Sequence, residues 1–111
     1  MAKGIRKSVQ QIVNTNSIHE NYYTIIKQDL TKKHISEKIS GEGTSLVIID
    51  VGGSPWSIQL IRGDGSIGDR FDSIYFSPGS RIDLQFRGIL FSNIASIPGV
   101  NPAIFLIERK I

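Results

Sequence analysis

Short apolar segments, each interrupted by turn residues, follow one another along most of this chain. Six of them occupy residues 46–51, 56–60, 71–76, 81–87, 89–95 and 103–108. Apolar runs of about five to seven residues bounded by Gly, Pro, Asn or Ser are typical of β-strands. In the fourth segment Ile82, Leu84 and Phe86 alternate with polar and charged residues, which predicts a strand with one buried face and one face in water. The pattern therefore predicts antiparallel strands joined by turns.

The apolar residues are of the kind that strands favour. The chain has twenty isoleucines and five valines but only three alanines. β-Branched side chains lose little freedom on a pleated strand and more in a helix. A chain of 111 residues is long enough for one core but not for two. We therefore expect an all-β protein, built as an antiparallel β-sandwich, a jelly roll or a small barrel.

Charge and polarity divide the chain near residue 40. Residues 1–40 contain seven Lys and Arg against three acidic residues, whereas residues 41–111 contain six against seven. We predict a polar, basic N-terminal arm over residues 1–40 and a compact antiparallel β domain over residues 41–111. Within the arm, residues 21–27 indicate a strand. Residues 29–40 suit either a short helix capped by Asp29 or an extended segment laid over a neighbouring subunit.

No segment has the pattern of an export signal or a membrane span. The basic N-terminal residues are followed by polar ones and not by an apolar run, so we expect no Sec export. The uninterrupted apolar runs are short, as at residues 46–49, and far below the roughly 20 residues that cross a bilayer. The chain has no cysteine, which excludes disulfides and thiolate zinc sites.

A glycine-rich stretch after the second segment contains three short patterns that suggest ligands. Residues 63–68 match the dinucleotide pattern G-x-G-x-x-G, but a strand is predicted to follow, so we favour a hairpin turn at Asp64 and Gly65. Oxygen ligands for calcium could come from Asp64, Ser66, Asp69 and Asp72. Residues 62–64 read Arg-Gly-Asp, a cell-adhesion tripeptide that is often matched by chance. We expect no nucleotide or adhesion site, and the sequence leaves calcium binding open.

The sequence carries no catalytic pattern. His19 and His34 lie fifteen residues apart, without a cysteine or a paired carboxylate at ligand spacing. No serine lies in a G-x-S-x-G turn. We therefore predict that the protein is not an enzyme and that it has no catalytic residues and no cofactor, and we assign no metal site beyond the calcium ligands left open above.

Most aromatic residues are predicted to pack in the core, because they lie within apolar alternation. These are Phe71, Tyr75, Phe76, Phe86, Phe91 and Phe105. Trp56 follows a Gly-Gly-Ser-Pro turn, and we expect its ring to close one end of the β domain with its indole N–H bound to a carbonyl. A barrel that binds single-stranded nucleic acid would instead expose aromatic rings between basic residues. That module is the alternative function.

A resemblance to a class of known proteins rests on three features within residues 47–89. They are an apolar strand that ends at Gly52 and Gly53, the strand 56–61, and the segment 71–84 with its Ser-Pro-Gly-Ser turn. In these features the chain resembles small β-barrel or jelly-roll proteins of tailed-bacteriophage particles, such as capsid decoration and tail-associated proteins. The resemblance implies a non-enzymatic virion component, usually oligomeric, whose polar arm reaches a neighbouring subunit.

We therefore expect a structural protein of a virus particle, either a capsid-decorating or a tail-associated subunit, that is assembled in the host cytoplasm and located in the virion. Its expected partners are other virion proteins and further copies of itself. Nucleic acid is a less favoured partner, and no membrane is expected. A basic arm suits an acidic protein surface. The residues predicted to bind the partner are Lys3, Arg6, Lys7, Tyr22, Tyr23, Lys32 and Lys33.

Overall fold

The computed structural model describes residues 21–110 of the chain, which form eight β-strands and one turn of 3-10 helix. The strands are β1 Asn21–Gln28, β2 His34–Gly43, β3 Ser45–Asp50, β4 Ser57–Ile61, β5 Ile67–Asp72, β6 Arg81–Ile82, β7 Phe86–Asn93 and β8 Ala103–Lys110. The 3-10 turn, Ser73–Tyr75, lies between β5 and β6.

The strands form two four-stranded sheets. Sheet one has the order β1-β8-β3-β6, sheet two has the order β2-β7-β4-β5, and every pairing is antiparallel. The first four strands therefore pair with the last four, β1 with β8, β2 with β7, β3 with β6 and β4 with β5. A chain folded back on itself in this way and rolled into two packed sheets is a jelly roll. The all-β prediction is confirmed, and the strand order selects the jelly roll among the predicted architectures.

The two sheets pack through their alternating apolar faces. In β8, Ala103, Phe105 and Ile107 are buried, while the residues between them are only partly covered. In β4, Ile58 and Leu60 are buried in the same way. The other buried apolar residues are Leu30, Leu46, Ile48, Trp56, Phe86, Ile89 and Phe91. Fully burying a large side chain of this kind is worth about 1.5–3 kcal/mol, so the sandwich interior is the main source of stability.

Trp56 closes the core at one end of the sandwich, as predicted. Its ring stacks on Phe76 and Phe91, each with a centroid distance of 5.8 Å, and meets Phe105 edge to face at 5.1 Å. The indole Nε1–H donates to the carbonyl of Val51 at 2.7 Å, which satisfies a buried polar group. Because Phe91 belongs to sheet two and Phe105 to sheet one, the indole ring joins the two sheets.

The first part of the described chain is built into the sandwich. β1 pairs with β8 over all eight of its residues. β2 pairs with β7 and continues to Gly43. The boundary predicted after residue 40 therefore falls inside β2, and residues 21–40 belong to the β domain. The rest of the predicted arm, residues 1–20, lies outside the described residues.

The helix considered for residues 29–40 is replaced by a turn and the first part of β2. The Asp29 carboxylate accepts hydrogen bonds from the Thr31 N–H at 2.8 Å and from its hydroxyl at 2.6 Å. A side chain that binds the backbone two residues ahead favours a turn over a helix. Leu30 is buried whereas Ile35 is exposed, so these two residues do not form the shared apolar face that a packed helix would need.

Residues 81–87 do not form the single strand that their alternation predicts. β6 ends at Ile82, and the chain crosses to sheet two before β7 begins at Phe86. Leu84 lies in this crossing and is 41% exposed instead of buried. The alternation predicted a single strand because Ile82 and Phe86 both pack against the same interior, although they do so from different sheets.

The predicted strand over residues 71–76 ends early, at Asp72. Tyr75, predicted to lie in the core, is 81% exposed, while Phe71 and Phe76 pack against the core. The 3-10 turn is fixed in place because the Ser73 N–H donates to the Trp56 carbonyl at 2.8 Å and the Trp56 N–H donates to Ser73 Oγ at 3.0 Å. These bonds tie the 3-10 turn to the residue that precedes β4.

Gly43→Ala should destabilise this fold. A Cβ at position 43 would lie 2.6 Å from Ile107 Cγ2 and 3.0 Å from the Glu108 carbonyl oxygen. Overpacking against a strand backbone should lower the free energy of unfolding, measured by urea denaturation, by about 1–3 kcal/mol. Gly63→Ala is the control, because a Cβ there meets nothing within 4 Å. Equal losses in the two variants would contradict the packing argument.

Candidate interaction surfaces

The predicted partner-binding residues fall into three groups. Those outside the described residues are Lys3, Arg6 and Lys7. Those in β1 are Tyr22 and Tyr23. Those in the turn between β1 and β2 are Lys32 and Lys33. Tyr23 lies five residues before the end of β1 at Gln28, about 17 Å of extended strand, so the structure separates the tyrosines from the lysines.

The outer face of sheet one is largely apolar. Ile25 of β1 lies opposite Leu106 of β8, which in turn lies opposite Val47 of β3. Ile25 is 66% exposed. The face of an antiparallel sheet that meets water is normally polar, and a contiguous apolar surface marks a candidate binding site. We call this surface the sheet-one face; its apolar members are Tyr23, Ile25, Val47, Ile49, Ile104 and Leu106.

The outer face of sheet two is polar by comparison. Leu90 of β7 lies between Lys38 of β2 and Gln59 of β4, and Gln59 lies opposite Arg70 of β5. The isoleucine-rich composition therefore does not make both faces apolar. The contrast identifies the sheet-one face as a specific feature of this molecule.

Four connections meet at one end of the sandwich, which we call the loop end. They are the segments between β1 and β2, between β3 and β4, between β5 and β6, and between β7 and β8. Hydrogen bonds join them across the end: Ser96 Oγ donates to the Thr31 carbonyl at 2.8 Å, and the Gly53 N–H donates to the Asn101 carbonyl at 3.0 Å. Segments far apart in sequence thus form one continuous surface.

A groove of about 410 Å³ opens where the loop end meets sheet two. Ile74 of the 3-10 turn is 83% exposed on one side of it, and Ile94, which follows β7, is 88% exposed on the other. Trp56 also lines the groove, as do Arg70 and Asp72, which form an exposed ion pair with a separation of 3.6 Å. The groove therefore combines apolar walls with a charged pair.

Lys32 and Lys33 lie beside this groove. Asn93 lines the groove and donates from Nδ2 to the Lys32 carbonyl at 2.9 Å. The Asn93 Oδ1 accepts the His34 N–H, one residue beyond Lys33, at 2.8 Å. Both lysines are exposed. Two of the predicted binding residues thus adjoin an apolar surface that the sequence did not predict.

A polar hollow of about 540 Å³ interrupts the sheet-one face near the end opposite the loops. Ser45 Oγ donates to Asp83 Oδ1 at 2.6 Å, and Arg81 donates to the same oxygen at 3.1 Å and to Glu108 at 2.7 Å. The Ser45 hydroxyl and then the Arg81 guanidinium lower the pKa of Asp83. Hydrogen bonds to Glu108 and then Asp83 raise the pKa of Arg81. The hollow is therefore lined by fixed charges.

The glycine-rich connection between β4 and β5 is a hairpin turn, as predicted. The Gly65 N–H donates to the Arg62 carbonyl at 2.9 Å, and Gly65 has a φ of 90°, which favours glycine. Asp64 Oδ1 accepts hydrogen bonds from the Ser66 hydroxyl and N–H, which lower the pKa of Asp64. A strand follows, so the dinucleotide-like pattern lacks the helix that would bind a phosphate.

The described histidine and carboxylates are not arranged as a metal site. Across residues 21–110, no three His, Cys, Asp or Glu side chains lie together as a group that could hold a metal ion. His34 Nε2 lies 2.7 Å from the Asp29 carbonyl, and its Nδ1 pairs with the Glu37 carboxylate. His19 lies outside the described residues.

Ile74 and Ile94 are the residues of the groove that sequence reasoning missed. Both fell in segments predicted as strands, where isoleucine is normally buried. A signal was present in the residues before them: Asp72-Ser73 precedes Ile74, and Ser92-Asn93 precedes Ile94. Two consecutive polar residues break the alternation, and in both cases the strand ends there.

Ser45→Ala should raise the pKa of Asp83 towards the ordinary aspartate value of about 3.9, because the Ser45 hydroxyl is the leading cause of its low pKa. A carboxyl titration followed by NMR measures this pKa. Ser66→Ala is the matched control, since it should raise the pKa of Asp64 and leave that of Asp83 unchanged. An unchanged Asp83 pKa in Ser45→Ala would contradict the assignment.

In the part of the chain that the structure describes, no helix has the length and apolar character needed to cross a membrane. The chain matches no family model, and comparisons with curated proteins and with solved structures find no match.

Proposed function

We propose that the protein is a non-enzymatic structural subunit of a virus particle, which decorates the capsid or joins the tail by binding neighbouring proteins through its loop end. The observation that carries the proposal is the exposure of Ile74 and Ile94 on the two sides of one groove. Scattered exposed apolar side chains are ordinary, but a cluster of them beside a groove is typical of a protein-binding site.

Two more exposed residues extend this apolar surface. Tyr75 follows Ile74 in the 3-10 turn, and tyrosine is enriched among the residues that dominate binding energy. Ile35 precedes Ser36, whose N–H donates to Ser92 Oγ at 2.8 Å beside the groove. The loop-end surface is therefore defined by Ile35, Ile74, Tyr75 and Ile94.

Rigid elements hold this surface in place. Asn93 Nδ2 donates to the carbonyls of Lys32 and Ala95, both at 2.9 Å, which ties two loops to the end of β7. The 3-10 turn is bonded to Trp56 in the core through Ser73. A surface that is already ordered loses little conformational entropy when a partner binds, so its apolar contacts contribute more to affinity.

The charges beside the groove indicate the chemistry of the partner. Lys32 and Lys33 favour a protein that presents an apolar projection with acidic residues next to it. A neighbouring subunit in a particle can supply such a surface, as the resemblance to tailed-phage virion proteins implies. Jelly rolls recur among viral capsid proteins, although the fold alone does not determine a function.

The aromatic residues support protein binding over the alternative of single-stranded nucleic acid. A stacking platform needs exposed rings between basic residues. Tyr75 is exposed, but Phe86, Phe91 and Phe105 are buried between the sheets, where they cannot stack on bases.

The double variant Ile74→Ser, Ile94→Ser should lose incorporation into particles. Each isoleucine buried on binding contributes about 1.5–3 kcal/mol, so we expect affinity to fall by roughly 100-fold or more. The measurement is the amount of tagged protein in gradient-purified particles from host cells that express the chain. Ile67→Ser is the matched control, because Ile67 is exposed on β5 away from the groove. Incorporation of the double variant at the control level would contradict the proposal.

Deletion of residues 1–20 tests the predicted role of the basic N-terminal residues. We expect the deletion to abolish incorporation through the loss of Lys3, Arg6 and Lys7. The β domain should remain folded in a urea unfolding experiment, because β1 begins at Asn21. Normal incorporation of the shortened chain would contradict a binding role for these three residues.

A further inference from the structure

Side chains of the sheet-one face form three rows across β1, β8 and β3. The middle row is Ile25, Leu106 and Val47. The row nearer the loop end is Lys27, Ile104 and Asp50. The row nearer the opposite end is Tyr23, Glu108 and Ser45. Each row therefore has a residue of β8 at its centre, flanked by one residue from β1 and one from β3.

We propose that this face packs against the same face of a second copy of the chain, about a two-fold axis parallel to β8. The inference goes beyond the proposed function, because it uses a surface distinct from the loop end. Sheets that pack face to face lie about 10 Å apart. A two-fold contact requires a self-complementary surface. Rotation about β8 keeps each row at its level and places β1 of one copy over β3 of the other.

The middle row supplies the apolar contact. Ile25 meets Val47 of the second copy, and Leu106 meets its own counterpart on the axis. The strand irregularity between Ile48 and Asp50 leaves Ile49 exposed beside this row. Burying these side chains is favourable by about 25 cal/mol per Å² of apolar area.

The row nearer the loop end supplies complementary charge. Lys27 and Asp50 are both exposed, and they flank Ile104 on opposite sides. The rotation places Lys27 over Asp50 of the second copy, and the symmetry creates this pair twice. Opposite charges at matching positions favour this orientation over one in which like charges meet.

The third row places a large side chain over the polar hollow. Tyr23 lies in the same row as Ser45, and Ser45 lines the hollow. The rotation therefore puts Tyr23 of one copy over the hollow of the other, where Arg81 and Asp83 offer polar atoms. An apolar ring with a hydroxyl at its tip suits such a position.

Glu108 lies on the axis, where two like charges by themselves would repel each other. Arg81 compensates for this charge, because it donates to Glu108 Oε1 at 2.7 Å. Arg81 reaches Glu108 from β6, on the far side of β3. The carboxylate is therefore already paired within its own chain.

The size of the face sets the strength of the dimer. Three rows across three strands cover about 14 × 20 Å at ordinary strand spacing and rise. The two copies together therefore contribute about 560 Å² of face area, which is below the roughly 1,200–2,000 Å² that stable interfaces bury, so the contact should be weak and transient. The dimer should therefore dissociate in the micromolar range, and its population should depend on protein concentration.

Sedimentation velocity of the full chain, from about 1 to about 300 µM, tests the dimer. The wild type should shift from monomer to dimer across this range, and a monomer at every concentration would overturn the proposal. Ile25→Glu should raise the dissociation constant at least about tenfold by burying a charge in the middle row. Ile67→Glu, on sheet two, is the control and should dimerise like the wild type.

Charge reversal tests the orientation. Lys27→Asp and Asp50→Lys should each weaken the dimer about tenfold, and the double variant should restore it to within about threefold of the wild type. Because Asp50 Oδ1 also accepts the Gly52 N–H at 2.8 Å, each variant is first checked for folding, and Ile25→Glu provides an independent test. A double variant as weak as the singles would overturn the two-fold arrangement.

The two proposals fail separately. The loop-end variant Ile74→Ser, Ile94→Ser should dimerise like the wild type whether or not it enters particles. A chain that dimerises but does not enter particles would contradict the proposed function alone. A monomeric wild type that enters particles would contradict the dimer alone.

Discussion

Residues 103–107 of strand β8 are apolar on both faces, and the arrangement of the molecule depends on this constraint. Its inward residues Ala103, Phe105 and Ile107 are buried in the core, while Ile104 and Leu106 point outward. A strand of this kind is poorly suited to the edge of a sheet, where an apolar edge would invite aggregation. It lies instead between β1 and β3. The pairing of the last strand with the first closes the jelly roll, and the same strand forms the centre of the sheet-one face.

The alternation of apolar and polar residues predicts which segments form strands but not which strands pair. The strands could therefore be predicted from the sequence, but their pairing could not. Residues 56–60 and 103–108 were correctly predicted as strand because each face of these segments meets one environment along its length. Leu84 was misplaced because its neighbours Ile82 and Phe86 belong to different sheets. The pairing of β1 with β8 joins the two ends of the described chain, and no local spacing encodes so distant a relation.

The loop-end groove depends on the same long-range pairing. Its side chains come from the ends of strands that only the rolled topology brings together, so the sequence pattern placed Ile74 and Ile94 within predicted strands and did not indicate a shared surface. Lys32 and Lys33 were predicted as binding residues because charge can be recognised without knowledge of the fold. An exposed isoleucine cannot be recognised in this way, because isoleucine is also a common residue of the core. The proposed binding surface therefore lies where the apolar pattern and the true strand ends disagree.

The two proposed surfaces face in different directions, and this has a consequence for assembly. The groove opens at the loop end on the side of sheet two, whereas the proposed dimer uses sheet one. Dimerisation would therefore leave both grooves accessible and would present them as a symmetric pair. A bivalent subunit that engages two neighbouring sites gains effective concentration for the second contact. Weak individual contacts would then suffice for firm attachment to a repetitive surface, which is the kind of surface that a virus particle provides.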